Sequence, residues 1–594
     1  MCSHLYHASP NLRVQSREQE RMADASTTDK LGPVFLTSLQ PSTLFFLLAL
    51  VKVLLFPTYK STDFDVHRNW LSITRHLPLS QWYFNDVNGT TVHTLDYPPS
   101  FAYFEYILAN NVITNKLVEH DIVDSKCFEL LGDHENDVGY DCVVFQRSTV
   151  IVSDIVLFLG AFMLSKALFP TNNEISLYES QRKARMASFL LVVCNPGLII
   201  LDHIHFQYNG MLLGILLASL ALLVQSIRTN SKSLQVNLEL VGAVLYSILL
   251  TFKHLYLTLG PMYFFYLLGR FCFTSESISK SAKDRGKANA KPSLRFSLQR
   301  LVTLGIVVSV ALILPFAPFL FFSQNEVNTD DGPKGQMLQI LSRLFPFQRG
   351  LCHDYWAGNI WALYLGSEKV LGGIYRVLFK QAMLPFPTVS ALTAASCLLA
   401  SLIPAMISAW HTARSSKLTN VERQEALLYC VVYSALSSFM FAYHVHEKAI
   451  LTAILPMTYL AVVSKEGARL FLRMTTIGHF GLLPLLFRPQ ELILKVLLLF
   501  TYLTGSILVL EVVHLQGGKD NSFEPSGLVT RWDKLGLTIL VLILAFVEVI
   551  HPLLFQPKEF MEFLPLMMIS FFCAIGLFGS WIYCGRIMLR YLRL

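Results

Sequence analysis

Five short stretches of this sequence gather side chains capable of acid–base or anion-binding chemistry, each beside a long apolar run. The first is Ser61-Thr62-Asp63-Phe64-Asp65-Val66-His67-Arg68-Asn69-Trp70. Val66, Trp70, Ile73 and Leu77 recur at helical spacing, which predicts a surface-lying helix over 63–77. Asp63 and His67 stand at i and i+4, so a carboxylate base and an imidazole can face one cleft. Thr62 to Asp65 also has the spacing of a capping box with Asp in place of Glu. Under that reading both acids serve the positive end of the helix.

The second stretch is Leu95-Asp96-Tyr97-Pro98-Pro99, followed by Phe101, Tyr103, Phe104 and Tyr106. Paired prolines fix an extended turn before an aromatic surface segment, which is either a rigid interfacial loop or a substrate contact. The third is Asp202-His203-Ile204-His205-Phe206-Gln207-Tyr208-Asn209, with Lys253 and His254 in the next span. Its mixture of donors and acceptors suits a sugar or polar headgroup better than a metal, because no second ligand set of recognisable spacing accompanies it. The fourth runs from Arg343 to Arg349 around Phe345-Pro346-Phe347 and on through His353, Asp354, Trp356, Asn359 and Trp361. Guanidinium groups held by such a turn fit a phosphate or pyrophosphate, although arginines also snorkel at membrane edges. The fifth is His444-Val445-His446-Glu447-Lys448, where Glu and Lys either neutralise each other or leave the lysine a role.

The elements that must position these groups are membrane helices. Of 594 residues 53% are hydrophobic and only 15% charged, with a mean hydropathy of +0.47, against about 25% charged in soluble proteins. A soluble enzyme, a coiled coil and a nucleic-acid-binding protein are excluded; the net charge of +7 is too dispersed for the last. Runs of about 20 apolar residues mark about fourteen spans, centred near 34–57, 143–167, 187–202, 208–226, 237–256, 257–273, 299–323, 386–410, 426–444, 448–464, 469–486, 490–513, 535–553 and 563–584. The chain divides into a polar tail (1–33), a catalytic membrane region (34–488) and C-terminal membrane helices (489–594). The polar tail shows no apolar signal-peptide core.

Basic links, above all 270–300, mark the cytosolic side. That leaves the loops 58–142 and 324–385 and the turns 202–209 and 444–448 on the opposite face. Chemistry therefore collects on one side, where polar groups beside a bilayer point to function. Most of the ten cysteines lie in spans as buried thiols, whereas Cys127 and Cys142 flank a polar stretch of the first outer loop and could bridge in an oxidising lumen. Asn88-Gly89-Thr90 in that loop is a glycosylation sequon. A transporter would show internal repeats and midplane charges; no convincing repeat is visible, and the polar motifs lie on one face.

The series DFDVHRNW, LDYPP, DHIHFQYNG, FKHLYL, RLFPFQRGLCHDYWAGNIWALY and SSFMFAYHVHEKAILTAILPM closely resembles the dolichyl-phosphate-glucose glucosyltransferases of the endoplasmic reticulum, from about residue 50 to 490. The resemblance implies an all-α polytopic membrane protein of the GT-C fold, its active site facing the lumen. It further implies a dolichyl-phosphate glucose donor, a dolichyl-diphosphate-linked oligosaccharide acceptor and no metal or other cofactor. Within the family the wording at Asp65-Val66-His67-Arg68-Asn69 and Asp202-His203-Ile204-His205 is closer to the branch that adds the second glucose than to the one that adds the first. The family places an acidic residue just after its first span. On that basis Asp63 is the expected general base and Asp65 the second choice. Arg343, Arg349, His446 and Lys448 are expected at the donor phosphate. His67, Arg68, Trp70, Asp96, Tyr97, Asp202, His203, His205, Gln207, Tyr208, Asn209, Lys253, His254, Asp354 and Trp356 are expected along the substrate.

Overall fold

Each apolar run of the sequence carries a helix in the computed structural model, which describes residues 40–84, 93–130, 138–170, 175–275, 294–321, 332–345, 350–352, 357–515, 527–555 and 561–593. Nine helices among the described residues are long and apolar enough to cross a membrane, the first being Tyr140–Leu168 and the last Leu564–Arg590. The expected count of fourteen is not confirmed among the described residues. Pro41–Leu54, Gly260–Phe271, Leu451–Val463 and Lys465–Phe480 are shorter than a bilayer requires as single helices. Asn420–Phe441 is long enough but opens with Glu422, Arg423 and Gln424, and it is buried along nearly its whole length. An apolar run reports that a helix is removed from water. It does not distinguish removal by lipid from removal by protein.

The helices pack by backbone approach rather than by area. Tyr140–Leu168 and Asn209–Arg228 cross at Gly160 and Gly214, where a β-carbon on Gly160 would stand 2.0 Å from the Gly214 carbonyl oxygen. Two helices can come this close only where small residues face each other, the usual solution in lipid, where burial of apolar area gives little drive to associate.

The segment 324–385 is not a plain loop: it contains the helices Gly332–Leu344 and Ile360–Phe379. The second exposes Val370, Leu371, Ile374, Val377, Leu378 and Phe379, an outward apolar face suited to lipid. The first is tied to the chain after the helix Thr62–His76, since Gln336 and Gln339 donate to the carbonyls of Ser80 and Tyr83. The basic 270–300 segment begins and ends in a short antiparallel pair, Phe273–Ser275 with Leu294–Phe296, which the sequence reading did not foresee. The C-terminal helix Leu564–Arg590 joins the main assembly, with Trp581 donating to Ser437 and Gly585 lying against Tyr433.

The helix expected over 63–77 is present as Thr62–His76, but residues 67–74 are all buried, so it is packed within the protein and not laid out on a surface. Its buried face docks on the outer segment: Arg68 donates to the Lys126 carbonyl, Ser72 to Glu129 and Trp70 to Thr94. Cys127 and Cys142 are joined by a disulfide that ties this segment to the start of Tyr140–Leu168. Residues 1–39 and the sequon at Asn88 lie outside the described residues.

Candidate active site

Asp63 occupies the first turn of Thr62–His76, and 28% of its side chain is exposed. Its Oδ2 lies 3.5 Å from Lys448 Nζ and 3.4 Å from His205 Nε2, and it accepts a hydrogen bond from Gln207 Nε2. Among the described residues all three partners meet the same oxygen, which leaves Oδ1 available to a ligand hydroxyl. Burial pushes this carboxyl up in pKa. The charges of Lys448, His205 and His67 and the Gln207 hydrogen bond outweigh burial and hold it well below the usual carboxylate range. Asp63 is therefore ionised at neutral pH.

A chain of donors orients Gln207 toward Asp63. Lys253 Nζ donates to Asn209 Oδ1, Asn209 Nδ2 donates to Gln207 Oε1, and Gln207 Nε2 is thereby turned toward Asp63. Lys253 is buried over the Tyr97 ring at 4.8 Å. Burial and the nearby Lys448 bring its pKa down to about 7, against the opposing pull of Asp202, Asp63 and Asp96. Phe206 has φ +77°, the left-handed region that a bulky side chain adopts at a cost of about 1–2 kcal/mol. This turn sets His205 and Gln207 both toward Asp63. The strain is carried at the site itself, held by packing of the Phe206 ring against Phe64 and His67.

The sequence reading missed the residue that brings the two halves together. Arg147, fully buried on Tyr140–Leu168, donates through Nη1 to the carbonyls of Leu55 and Phe56 and to Thr58 Oγ1. Through Nη2 it donates to the carbonyls of Tyr59 and Ile204. One guanidinium thus joins the turn entering the Asp63 helix to the segment carrying His205. Its only sequence signal was a charge inside an apolar run, a position costly enough to mark a role.

The other expected residues fall into distinct places. Asp65 pairs with Arg68 at 3.6 Å on its own helix. The helix cap is Ser61, not Thr62, and no side chain caps it, so the capping-box reading does not hold; Ser61 donates instead to the His205 carbonyl. His67 is buried against Glu105 at 2.8 Å, a partner the sequence reading did not name. Burial raises the Glu105 pKa, with His67 opposing. Arg68 and Trp70 are buried in the docking of Thr62–His76. Asp202 accepts from the Asn209 and Gly210 backbone and from Asn209 Nδ2, capping the helix Asn209–Arg228. A side chain on Gly210 would crowd Asp154 and Asp202, at 3.1 and 3.2 Å.

His203 lies 3.0 Å from Asp154, which is also 2.6 Å from Lys52, in a buried ionic group inside the helical assembly. Tyr208 bonds with Thr149. The His254 ring lies tilted against Phe345 at 5.3 Å, just beyond the end of Gly332–Leu344, and burial and Lys253 lower its pKa to about 4. His446 caps the short turn that presents Lys448. Asp96 is half-buried beside Tyr97. Arg349, Asp354 and Trp356 lie outside the described residues. Among the described residues no group of three or more His, Cys, Asp or Glu is arranged to hold a metal ion.

A carboxylate held on one oxygen beside a lysine, packed among membrane helices, is an arrangement that can take a proton from a hydroxyl and steady an anion next to it. The chain belongs to the ALG6, ALG8 glycosyltransferase family, whose model matches residues 48–584. It is similar to the mouse protein named dolichyl pyrophosphate Glc1Man9GlcNAc2 alpha-1,3-glucosyltransferase, with 36% identity covering 90% of this chain and 92% of the relative. Proteins of that name from Arabidopsis thaliana (34% identity, 90% and 94%) and Gibberella zeae (35%, 90% and 95%) are similar over the same extent.

Proposed function

We propose that the protein transfers glucose from dolichyl-phosphate glucose to the Glc1Man9GlcNAc2 dolichyl-pyrophosphate acceptor, forming an α-1,3 linkage with inversion at the lumenal face of the endoplasmic reticulum membrane. The observation that carries this reading is the pairing of Asp63 with Lys448, 3.5 Å apart. An acceptor hydroxyl must lose its proton as it attacks the anomeric carbon, and Asp63 Oδ1 is the base. The leaving dolichyl phosphate gains a negative charge, and an adjacent lysine offsets that charge without a proton donor. Arg343, Arg349 and His446 are further candidates for contact with the donor phosphate. The donor chain from Lys253 to Gln207 supplies the hydroxyl-recognising groups that a sugar needs.

The test is transfer by the purified protein, wild type and Asp63→Asn, to acceptors carrying no glucose or one, with EDTA present. Extension of the monoglucosylated acceptor alone, lost in Asp63→Asn and undiminished by chelation, is the expected result. Extension of the unglucosylated acceptor would move the protein to the preceding step, and full activity in Asp63→Asn would remove Asp63 from the mechanism.

A further inference from the structure

We propose that His205 takes over, on Nε2, the proton that Asp63 removes from the acceptor hydroxyl, and that Tyr59 is the positioning residue that keeps this nitrogen bare. The proposal rests on the glucosyl-transfer reading above. It follows from where three protons must lie. The Tyr59 hydroxyl donates to the Leu485 carbonyl at 2.6 Å. A carbonyl cannot donate, so the only phenolic proton is committed there. The same hydroxyl oxygen lies 3.0 Å from His205 Nδ1, and with its proton committed it can only accept. Nδ1 therefore carries the hydrogen, and in the neutral ring Nε2 is left with a lone pair.

That lone pair faces Asp63 Oδ2 at 3.4 Å. Two lone pairs opposed in this way repel until a proton lies between them, so the arrangement is a vacant proton position beside the base. The geometry is not incidental to one side chain. Arg147 clamps the carbonyls of Tyr59 and Ile204 together, and Ser61 donates to the His205 carbonyl, so the backbones of the two partners are tied at three points.

Asp63, Lys448 and Tyr59 face the imidazole, with Arg488 over the Tyr59 ring at 5.5 Å. Burial lowers the His205 pKa to about 4, with Lys448 adding to the effect and Asp63 opposing it. The position is therefore empty at neutral pH and open to a proton handed over by Asp63. This resolves a difficulty of the site. A carboxylate stabilised by the Lys448 ammonium and the Gln207 amide is a poor final resting place for a proton, although it is well aimed to collect one. In the step, the acceptor O–H bond breaks as its oxygen bonds to the anomeric carbon. The sugar–phosphate C–O bond breaks with its electron pair leaving on the phosphate. The proton passes to Asp63, then to Nε2, and returns to water once product departs.

The test compares full-length wild type, His205→Gln, Tyr59→Phe and the double variant in transfer from dolichyl-phosphate glucose, from acid to neutral pH. In the wild type the acid limb of kcat reports filling of Nε2. In His205→Gln kcat is expected to fall at least about tenfold with both KM values within about twofold. The acid limb should move to lower pH, because Lys448, His67 and Gln207 still hold Asp63 low. Tyr59→Phe should lower kcat several-fold, and adding it to His205→Gln should cost nothing further, as for residues that act as one unit. An unmoved acid limb in His205→Gln, or additive losses in the double variant, would overturn the relay. If the wild type prefers the unglucosylated acceptor, the substrate assignment falls while the acid limb with that acceptor still reads the relay.

Discussion

Replacing Lys448 by methionine tests the electrostatic reasoning most directly. The lysine ammonium lies 3.5 Å from Asp63 Oδ2. At an effective dielectric of about 20 two unit charges at this distance attract by about 5 kcal/mol. Asp63 is 28% exposed, and water in the opening screens the pair, so about 1–3 kcal/mol is the realistic share, or about one to two pH units. Lys448 stabilises the ionised carboxylate and disfavours the imidazolium at His205. Its removal therefore raises the pKa of both groups, and activity that needs both deprotonated is lost at higher pH. The acid limb of kcat/KM should rise by about one to two units in Lys448→Met. Independently, kcat at neutral pH should fall by about a hundredfold to a thousandfold as the leaving phosphate loses its cation. The assay is initial-rate transfer in buffers of constant ionic strength, with intrinsic fluorescence confirming that each sample remains folded. A fall in kcat with the acid limb unmoved would refute the coupling and leave Lys448 acting on the donor alone.

Three further outcomes are expected. Asp65→Asn should retain activity within about threefold, whereas Asp63→Asn should lose about a hundredfold or more; equal losses, measured as kcat, would return the base assignment to an open choice between the two acids. Cys127→Ser should lower the stability of the detergent-solubilised protein by about 3 kcal/mol, the scale for a bridge closing a loop of about 15 residues; a reductant should destabilise the wild type and leave the variant unchanged in a thermal melt. Gly160→Val should force apart the helices Tyr140–Leu168 and Asn209–Arg228 and destabilise by about 1–3 kcal/mol or more; an unchanged melting temperature would contradict the close backbone crossing.

Much of the site was legible because its chemistry is concentrated in short polar stretches set against apolar runs. Asp63, His205, Gln207 and Lys448 each stood out as a group too costly to hold beside a bilayer without a use. The structure brings these four, from three segments separated by more than a hundred residues, to one carboxylate oxygen. Arg147, Tyr59 and Glu105 were passed over. Arg147 lay within a span, Tyr59 stood unmarked just after the first one, and Glu105 sat among the Phe and Tyr residues after the paired prolines. Nothing local distinguishes a buried polar group that clamps backbone carbonyls from one that is merely tolerated. The capping-box spacing at Thr62–Asp65 misled for a related reason, since the competing acceptor for Ser61, the His205 carbonyl, arrives from 144 residues away.

The class, the helical content and the helix after the first span were legible along the chain. Those properties follow from composition, periodicity and flanking charge, all of them local and additive along the chain. Only the tertiary structure decided which helices face lipid and which face protein, which of two neighbouring acids meets the lysine, and which nitrogen of His205 is bare. Each of these depends on a partner supplied from elsewhere in the chain. A side chain's protonation and its role are set by distances to such partners, and sequence spacing does not contain those distances.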